Sequence, residues 1–316
     1  MVVLGFTGLA CGLYFADSLD KRINRVDAFD EITGGRPAKL VDGALNVLVI
    51  GSDSRAPGED PGVNGDRSDS LMIAHLDRDH RKAYIVSIPR DTWVSVPRDS
   101  DGNGGKRAKI NAASAWGGVP LMVSTVERFS GVKIDHVLKI DFAGFKNMTD
   151  ALGGVDVSVN QTVTDPRSKR TFTQGINHLD GAAALDYVRQ RYALPRGDFD
   201  RVQRQHIFLR ALLQKATDTG TLTNPGKLKA FGEAVADSVT ADRKFSLMDT
   251  VVQLRKIRTG DVSFITMPVS GTETRDGQSV VISDREAAGK LFRAVARDDM
   301  AEWLQNNPGS NAVLGN

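Results

Sequence analysis

The feature that most constrains the fold is an alternation of short apolar runs with helical segments, which begins at Asn46. Short apolar runs bounded by turn residues predict buried strands, and longer segments with an apolar period of three to four residues predict helices. The predicted strands cover residues 46–50, 71–76, 83–88, 136–140, 155–159 and 262–267, and the predicted helices cover about 119–130, 142–151, 181–190, 199–217, 225–238, 246–258 and 284–298. Strands interleaved with helices favour an α/β fold in which a sheet carries helices on both faces.

Length, charge and missing motifs limit the classes of protein to which the chain can belong. Its 316 residues fit one α/β domain with a full core. The net charge is only +2, so no overall basic field points to nucleic acid, and any anion site must come from local clustering. The single cysteine, Cys11, excludes an internal disulfide and a cysteine-based zinc site. The motifs Gly-x-Ser-x-Gly and Gly-x4-Gly-Lys-Ser/Thr are absent, which disfavours serine hydrolases and P-loop proteins.

The N-terminal residues 1–16 differ from the rest of the chain because they carry no charge. A membrane-spanning helix needs about 20 apolar residues, so we interpret this segment as a membrane anchor with a truncated start. A buried apolar helix and a lipoprotein modified at Cys11 are the alternatives.

The segment after the anchor, residues 17–44, is polar and contains Gly34, Gly35 and Pro37. Glycine and proline break regular structure, so this segment predicts a stalk or linker. One main domain is then expected over residues 45–300. A flexible tail is expected over 301–316, where asparagine, glycine and proline accumulate.

Three polar segments follow predicted strands, at the position where open α/β sheets place ligands. The first contains Asp53 and Arg55 directly after one strand, and Arg67 and Asp69 directly before the next. Carboxylates that leave one strand and enter the next could converge on one divalent cation, which takes carboxylate and phosphate oxygens as ligands. The alternative is that both aspartates cap turns, as aspartate often does.

The second segment is built around Arg90, which follows a very apolar strand. Pro89 stiffens the exit of this strand, so Arg90 is well placed to project into a cleft. A surface salt bridge between Arg90 and Asp91 is the alternative, and such pairs contribute little stability. Lys109 and Asn111 come shortly afterwards and add a positive charge and a side-chain amide.

The third and densest segment carries Arg189, Arg191, Arg201 and Gln205. Pro195 favours an end of the preceding helix near Arg189, and in an extended segment Arg189 and Arg191 share one side. Arg201 and Gln205 are four positions apart on the next helix and therefore share a face. A solvated basic face is the alternative, but these arginines surround a turn and lack the regular acidic partners of such a face.

Arginine suits phosphate because its planar guanidinium donates two parallel hydrogen bonds and stays charged at any working pH. Several arginines beside a carboxylate pair therefore predict a pyrophosphate site. In phosphoryl transfer the protein mainly positions groups and stabilises spread negative charge, so no covalent nucleophile is required. Asp198 or Asp200, at the start of the helix that carries Arg201, is interpreted as a helix cap.

Eight motifs follow one another between about Asn46 and Leu213: Gly51-x-Asp53-x-Arg55, Arg67-Ser-Asp69, Ser87-Ile-Pro-Arg90-Asp91, Lys109-Ile-Asn-Ala-Ala113, Ala151-Leu-Gly-Gly-Val-Asp156, Leu179-Asp-Gly-x-x-Ala-Leu, Tyr187-Val-Arg189-x-Arg191 and Gly197-Asp198-Phe-x-Arg201-x-x-Arg-Gln205. In this order they resemble the LytR-CpsA-Psr family of bacterial cell-wall ligases. The resemblance implies a single catalytic domain with a mixed central β-sheet sandwiched between α-helical layers, and a hydrophobic groove for a prenyl chain.

The resemblance also implies an activity. The family transfers a glycopolymer phosphate from a polyprenyl-diphosphate-linked donor to a hydroxyl of peptidoglycan and releases polyprenyl phosphate. The catalytic domain would then lie outside the cytoplasm at the cell membrane, with lipid but no nucleic acid as a partner. A membrane-bound transcriptional attenuator and a lipid-pyrophosphate phosphatase or binder are the alternatives.

By motif position, the resemblance implies Mg²⁺ or Mn²⁺ held by Asp53 and Asp69. Arg90 would act in catalysis with these two aspartates. The remaining motif residues would bind the pyrophosphate and lipid head group, and they are Arg55, Arg67, Lys109, Arg189, Arg191, Asp198, Arg201 and Gln205.

Overall fold

The structure is a computed structural model that describes residues 17–32, 34–53, 68–192 and 194–310. In chain order its strands are β1 (Asn24–Val26), β2 (Leu45–Ser52), β3 (Ser68–Leu76), β4 (Ala83–Ser87), β5 (Trp93–Val96), β6 (Lys106–Lys109), β7 (His136–Ile140), β8 (Val155–Val159), β9 (Val163–Thr164), β10 (Thr171–Phe172), β11 (Gly175–Leu179), β12 (Val239–Asp242), β13 (Val262–Thr266), β14 (Val269–Arg275) and β15 (Gln278–Ser283). Its helices are α1 (Ala112–Ser130), α2 (Phe142–Ala151), α3 (Gly181–Arg189), α4 (Asp198–Thr217), α5 (Thr219–Leu222), α6 (Pro225–Ser238), α7 (Leu247–Leu254), α8 (Arg285–Arg297) and α9 (Met300–Asn306), and a 3-10 turn covers Thr259–Asp261.

The central layer is a seven-stranded sheet in the order β1-β12-β7-β2-β3-β4-β13. The pairs β1–β12, β7–β2 and β4–β13 are parallel, whereas β12–β7, β2–β3 and β3–β4 are antiparallel. This mixed sheet confirms the predicted fold class. Strands β2, β4 and β7 run in one direction, so their carboxyl ends and the start of β3 meet at the same edge of the sheet.

The two faces of the sheet are covered by different helices. On one face, Ile50, Ile73 and Val86 pack in a core with residues of α1 and α8 such as Met122 and Leu291. Side chains alternate between the faces of a strand, so the neighbouring positions point the other way. On that second face, His206 of α4 contacts Ser87 of β4 and Phe264 of β13. The predicted arrangement of a sheet between helical layers is therefore present.

Most predicted strands belong to the central sheet, and one does not. The predictions at 46–50, 71–76, 83–88, 136–140 and 262–267 correspond to β2, β3, β4, β7 and β13. The prediction at 155–159 corresponds to β8, which pairs with β11 in a separate two-stranded ribbon. Helix α1 consists of a short first piece from Ala112 and a longer second piece, separated by a non-helical kink at Gly117 and Gly118. The helix predicted from about residue 119 corresponds to the second piece.

The segment 17–44 was expected to be a stalk outside the domain, and its described part instead packs against the domain. Strand β1 is the edge strand of the central sheet, where it runs parallel to β12. Leu19 and Ile23 are buried against Phe245. Arg36 makes two hydrogen bonds to the buried carboxylate of Glu127, at 2.9 and 2.7 Å. These contacts place the described part of the segment within the main domain.

An anchor and a flexible tail were the structures predicted for the two ends of the chain. The predicted anchor, residues 1–16, lies outside the described residues, and no helix within the described ranges is long and apolar enough to cross a membrane. The predicted flexible tail begins as helix α9, in which Met300 is fully buried and Trp303 packs against the main core. Residues 311–316 lie outside the described residues.

A buried ionic cluster joins the end of α8 to the central sheet. Asp298 adopts a left-handed conformation with φ of 61°, and its carboxylate lies 3.0 Å from His75 Nε2 and 2.9 Å from Arg78 Nε. Asn46 Nδ2 donates to a backbone carbonyl, so Asn46 Oδ1 accepts from His75 Nδ1 at 2.7 Å. Burial alone raises the pKa of Asp298, but the hydrogen bonds from His75 and Arg78 outweigh it and lower the pKa to about 2.

We expect Asp298→Asn to lower the free energy of unfolding by about 3 kcal/mol near neutral pH, because it leaves His75 buried without its charged partner. Asparagine tolerates the left-handed conformation, so the change isolates the charge. The folded pKa lies below the ordinary 3.8, so this stabilisation is present above about pH 4 and is lost as pH falls towards 2. Denaturant unfolding across pH measures both effects. Glu286→Gln, which removes an exposed pair with Lys290, is the control and should change stability by less than about 1 kcal/mol.

Candidate active site

A cavity of about 350 Å³ opens at the edge of the sheet where β2, β4 and β7 end. We call it the main cavity. Its charged and amide side chains are Asp53, Asp69, Arg90, Asp141, Arg167, Arg189, Arg191, Arg201 and Gln205. Its apolar side chains are Val49, Met72, Ile140, Phe142, Phe145, Leu185, Val188, Phe208 and Leu209, and Gly51, Ser52 and Ser70 complete the lining. The main cavity therefore has an ionic half and an apolar half.

Carboxylates enter the main cavity from the ends of two strands and from the start of a helix. Asp53 follows β2, and Asp69 lies in β3, where its carboxylate forms an ion pair with Arg90. Asp69 is thus a strand residue with a charged partner, so its predicted alternative role as a turn cap is wrong. Asp141, which the sequence analysis missed, also lines the cavity and caps α2 by accepting from Gly144 N at 2.7 Å.

Arg90 lines the main cavity and pairs there with a carboxylate. Its side chain is 16% exposed, and its partner is Asp69. The predicted alternative, a surface salt bridge between Arg90 and Asp91, is wrong, because Asp91 pairs with Lys109 at 3.2 Å. Arg90 Nε is buried and has no hydrogen-bond partner among the described residues.

Arg189 and Arg191 both reach the main cavity because the helix ends between them. Helix α3 stops at Arg189, and Gln190 is extended with φ of −61° and ψ of 125°. The predicted end of this helix is confirmed. The Arg189 guanidinium lies 4.3 Å from the centre of the Phe142 ring, a cation–π contact that holds it at the junction of the ionic and apolar halves.

Tyr192 contacts two arginines that line the main cavity, Arg167 and Arg191. Its hydroxyl accepts hydrogen bonds from Arg191 Nη2 at 2.7 Å and from Arg167 Nη2 at 3.1 Å. Both guanidinium groups also lie over its ring, at 4.8 and 4.7 Å from the centre. The hydrogen bond from Arg191 lowers the pKa of the Tyr192 hydroxyl. Sequence reasoning missed Arg167 because it lies in a polar turn between β9 and β10, outside the segments that carry the other arginines of the main cavity.

Arg201 and Gln205 project into the main cavity from one face of α4, as their spacing predicted. Arg201 is 5% exposed and forms an ion pair with Asp198 at 2.8 Å. Burial lowers the pKa of Arg201, and the charge of Asp198 opposes this shift. The N-cap of α4 is Gly197, so neither Asp198 nor Asp200 caps this helix as predicted. Asp198 supports Arg201 and is absent from the described lining of the main cavity.

Lys109 lies in a second cavity next to the main one. The second cavity has a volume of about 520 Å³ and shares Arg90 and Arg191 with the main cavity. Its other lining residues are Asp91, Trp93, Lys106, Arg107, Ala108, Lys109, Asn111, Ala112, Ala115, Trp116, Asp276 and Gln278. Arg55 and Arg67, also predicted to bind the head group, lie outside the described residues. Their role stays a prediction.

The apolar half of the main cavity could not be recognised from the sequence. Phe142 and Phe145 line it, whereas Met148, on the same helix, is buried in the protein interior. All three have the apolar spacing of core residues. Only the packing of α2 against its neighbours decides which of them line a ligand cavity.

A buried histidine links the strand that leads to Arg90 with the helix that carries Arg201. His206 Nε2 lies 2.7 Å from Ser87 Oγ, and both side chains are almost fully buried. His206 Nδ1 has no hydrogen-bond partner in the described part of the chain. Burial lowers the pKa of His206 to about 4, so the ring is neutral at physiological pH.

We expect this histidine to make the protein less stable in mild acid. The unfolded chain binds a proton near pH 6.5 but the folded chain only near 4, so stability falls as pH decreases through this window. Between about pH 7.5 and about pH 5 the loss from His206 should be about 2 kcal/mol. Denaturant unfolding at both pH values measures this loss, and the free energy of unfolding should fall less in His206→Gln than in the wild type. His178→Gln, at an exposed histidine, should keep the wild-type loss. Equal losses in wild type and His206→Gln would contradict the account.

Comparisons with known proteins agree with this geometry. The profile of the LytR_cpsA_psr family matches residues 16–297. "Cell wall biosynthesis protein LcpA" of Corynebacterium glutamicum is 34% identical over 82% of this chain, which spans 58% of that protein. "Polyisoprenyl-teichoic acid--peptidoglycan teichoic acid transferase TagU" of Bacillus cereus is 38% identical over 64% of this chain and 63% of its own length.

The fold is similar to solved structures as well. A structure described as TagT bound to LI-WTA superposes with a TM-score of 0.65 at 25% identity, covering 87% of this chain and 99% of that one. The family profile covers most of the chain, including every described element that lines the main cavity. The chain belongs to the LytR-CpsA-Psr family.

Proposed function

We propose that the protein is a phosphotransferase that moves a glycopolymer phosphate from a polyprenyl-diphosphate carrier to a hydroxyl of peptidoglycan. The observation that carries the proposal is the division of the main cavity into an ionic half and an apolar half. A lipid-linked pyrophosphate has the same two parts. The names of the relatives, a teichoic acid transferase and a cell wall biosynthesis protein, support the same class of reaction.

The ionic half suits a pyrophosphate. Arg90, Arg189, Arg191 and Arg201 surround it with guanidinium groups that remain charged, and Gln205 adds an amide. Arg201 is buried, so its interaction with an anion is screened little by solvent. The apolar half suits the first isoprene units, because Phe142, Leu185 and Phe208 offer a water-poor wall directly beside these charges.

The proposed reaction is a displacement at phosphorus. An acceptor hydroxyl oxygen attacks the phosphorus that carries the glycopolymer and forms a new phosphodiester bond. The bond from that phosphorus to the bridging oxygen breaks, and polyprenyl phosphate leaves with the electron pair. The hydroxyl proton passes to a cavity carboxylate or to water. Arg90 and Arg201 stabilise the negative charge on the transferring group.

The carboxylates fit a divalent cation of the Mg²⁺ or Mn²⁺ type. No group of three or more candidate metal ligands occurs among the described residues. However, Mg²⁺ is usually held by one or two carboxylates together with substrate phosphate oxygens, and Asp53 and Asp69 supply two carboxylates at one cavity. When bound, the cation would neutralise charge on the pyrophosphate.

The membrane location follows from the same proposal. The donor carries a prenyl chain, so the main cavity must work close to a lipid surface. The uncharged residues 1–16 would hold it there as an anchor, with the catalytic domain outside the cytoplasm. The net charge of +2 gives no support to the alternative role in transcription, which needs a basic face for nucleic acid.

Product analysis tests the proposed reaction. The purified protein is incubated with a polyprenyl-diphosphate saccharide, with and without peptidoglycan. We expect saccharide joined to peptidoglycan through phosphate when the acceptor is present, and little release of saccharide phosphate when it is absent. Equal release of free saccharide phosphate in both reactions would identify a pyrophosphatase and contradict the proposal.

The apolar half makes its own prediction. Leu185→Trp places a larger side chain in the main cavity, so it should raise KM for a long-chain donor roughly tenfold while a donor with a very short prenyl chain is affected little. Steady-state kinetics with both donors measures the difference. Leu254→Trp, at a 44% exposed position on α7, is the matched control and should leave both KM values unchanged. An equal effect of Leu185→Trp on both donors would count against a lipid wall.

A further inference from the structure

The second cavity has no role in the proposed handling of the lipid pyrophosphate, although it touches that site. Arg90 and Arg191 line both cavities, so a ligand in the second cavity would lie directly beside a pyrophosphate in the main one. Its volume of about 520 Å³ is in the range of small-ligand sites, which is about 300–1,000 Å³.

The charge of the second cavity indicates an anionic ligand. Five cationic side chains line it, against the two acidic side chains of Asp91 and Asp276. Asp91 is paired with Lys109 at 3.2 Å, and Arg90 is paired with Asp69 of the main cavity. The cations that remain are Lys106, Arg107 and Arg191, against the single carboxylate of Asp276. The whole chain carries a net charge of only +2, so this excess is local.

The composition of the second cavity separates its ligand from the lipid. The main cavity has an apolar wall, whereas the second one offers the amides of Asn111 and Gln278 and the indoles of Trp93 and Trp116. Amides and indoles together suit a ligand with hydroxyl groups and flat apolar faces, as a sugar ring has. Lys106 Nζ lies 4.6 Å from the centre of the Trp116 ring, a contact that holds its charge over this part of the cavity.

We propose that the second cavity binds an anionic saccharide next to the reacting phosphate. The inference rests on the proposed function, in which two saccharides meet at the pyrophosphate. The negative groups can come from the acceptor, as the carboxylates of a peptidoglycan fragment, or from the donor glycan, as phosphate. Lys106 and Arg107 are exposed and line the second cavity but not the main one, so changing them leaves the described lining of the pyrophosphate site intact.

Direct binding tests the inference without turnover. The full chain is titrated with a soluble muramyl-peptide disaccharide that has free carboxylates, and separately with an oligosaccharide phosphate, with tryptophan fluorescence as the readout. The double variant Lys106→Gln/Arg107→Gln should weaken binding of at least one probe tenfold or more, because it removes two cationic donors that line the second cavity. Arg107→Lys should retain part of the affinity.

The controls make each outcome decisive. Arg243→Gln, at a 67% exposed surface arginine that pairs with Asp27, should bind both probes like the wild type. Weaker binding of the muramyl probe alone assigns the cavity to the acceptor, and weaker binding of the phosphate probe alone assigns it to the donor glycan. Unchanged binding of both probes in a correctly folded double variant overturns the inference. Absence of transfer by the wild-type protein would instead count against the proposed function, and the titration would still decide the inference.

Discussion

Replacing Arg90 with alanine should reduce glycopolymer transfer roughly a thousandfold or more, the scale on which a single transition-state arginine acts in phosphoryl transfer. Arg90 lines both cavities, as Arg191 does, and it also pairs with Asp69. It is therefore placed to stabilise the charge that develops on the transferring phosphate. Initial rates with the lipid-pyrophosphate donor and peptidoglycan measure the effect. Arg90→Lys should retain only a part of the wild-type transfer rate, since an ammonium group cannot donate the paired hydrogen bonds of a guanidinium.

The loss must be separated from unfolding, because Arg90→Ala also leaves Asp69 without its partner. Thermal unfolding of the variant addresses this, and Arg243→Ala on the surface provides a matched control that should transfer at the wild-type rate. A folded Arg90→Ala protein that transfers within about tenfold of the wild type would contradict the placing of Arg90 at the reacting phosphate.

Replacing Asp53 with asparagine should lower transfer roughly a hundredfold, as expected for the loss of one preorganised electrostatic contact. The carboxylate lies at the end of β2 in the main cavity, where it would hold a divalent cation against the substrate phosphates. If so, removal of divalent cations with a chelator should slow the wild type by a similar factor but slow Asp53→Asn much less. Rates measured with and without added Mg²⁺ give this comparison.

Asp30→Asn is the matched control for Asp53, because its carboxylate is 69% exposed and lies on the surface near Arg243. It should respond to the chelator like the wild type. If Asp53→Asn loses activity but keeps the full response to Mg²⁺, then Asp53 does not hold the cation.

The ionic half of the site could be predicted from the sequence because its residues follow local rules. Arg201 and Gln205 share a helix face by spacing alone. Pro195 predicts an end of the helix before it, and the helix does end at Arg189 with Gln190 extended. The ends of β2 and β4 supply Asp53 and Arg90 because parallel strands bring their carboxyl ends to one edge.

Long-range packing decided the rest, and the sequence carried little signal for it. Arg167 reaches the main cavity from a turn whose position depends on how β8 to β11 pack. Asp141, by contrast, directly follows β7, so the strand-end rule that locates Asp53 and Arg90 also locates it. Lys109 comes soon after Arg90 along the chain, but its side chain pairs with Asp91 and lines the second cavity. Strand β1 has three residues and one partner, so its short polar sequence resembles a linker until β12 is placed beside it.

The most direct test of the central claim is a crystal structure of the protein with a polyprenyl-pyrophosphate bound. We expect both phosphates to lie within hydrogen-bond distance, about 3 Å, of guanidinium nitrogens of Arg90, Arg189 or Arg191. The prenyl chain should lie along Phe142, Leu185 and Phe208. Electron density for the lipid outside the main cavity, or a chain that leads away from this apolar wall, would contradict the central claim.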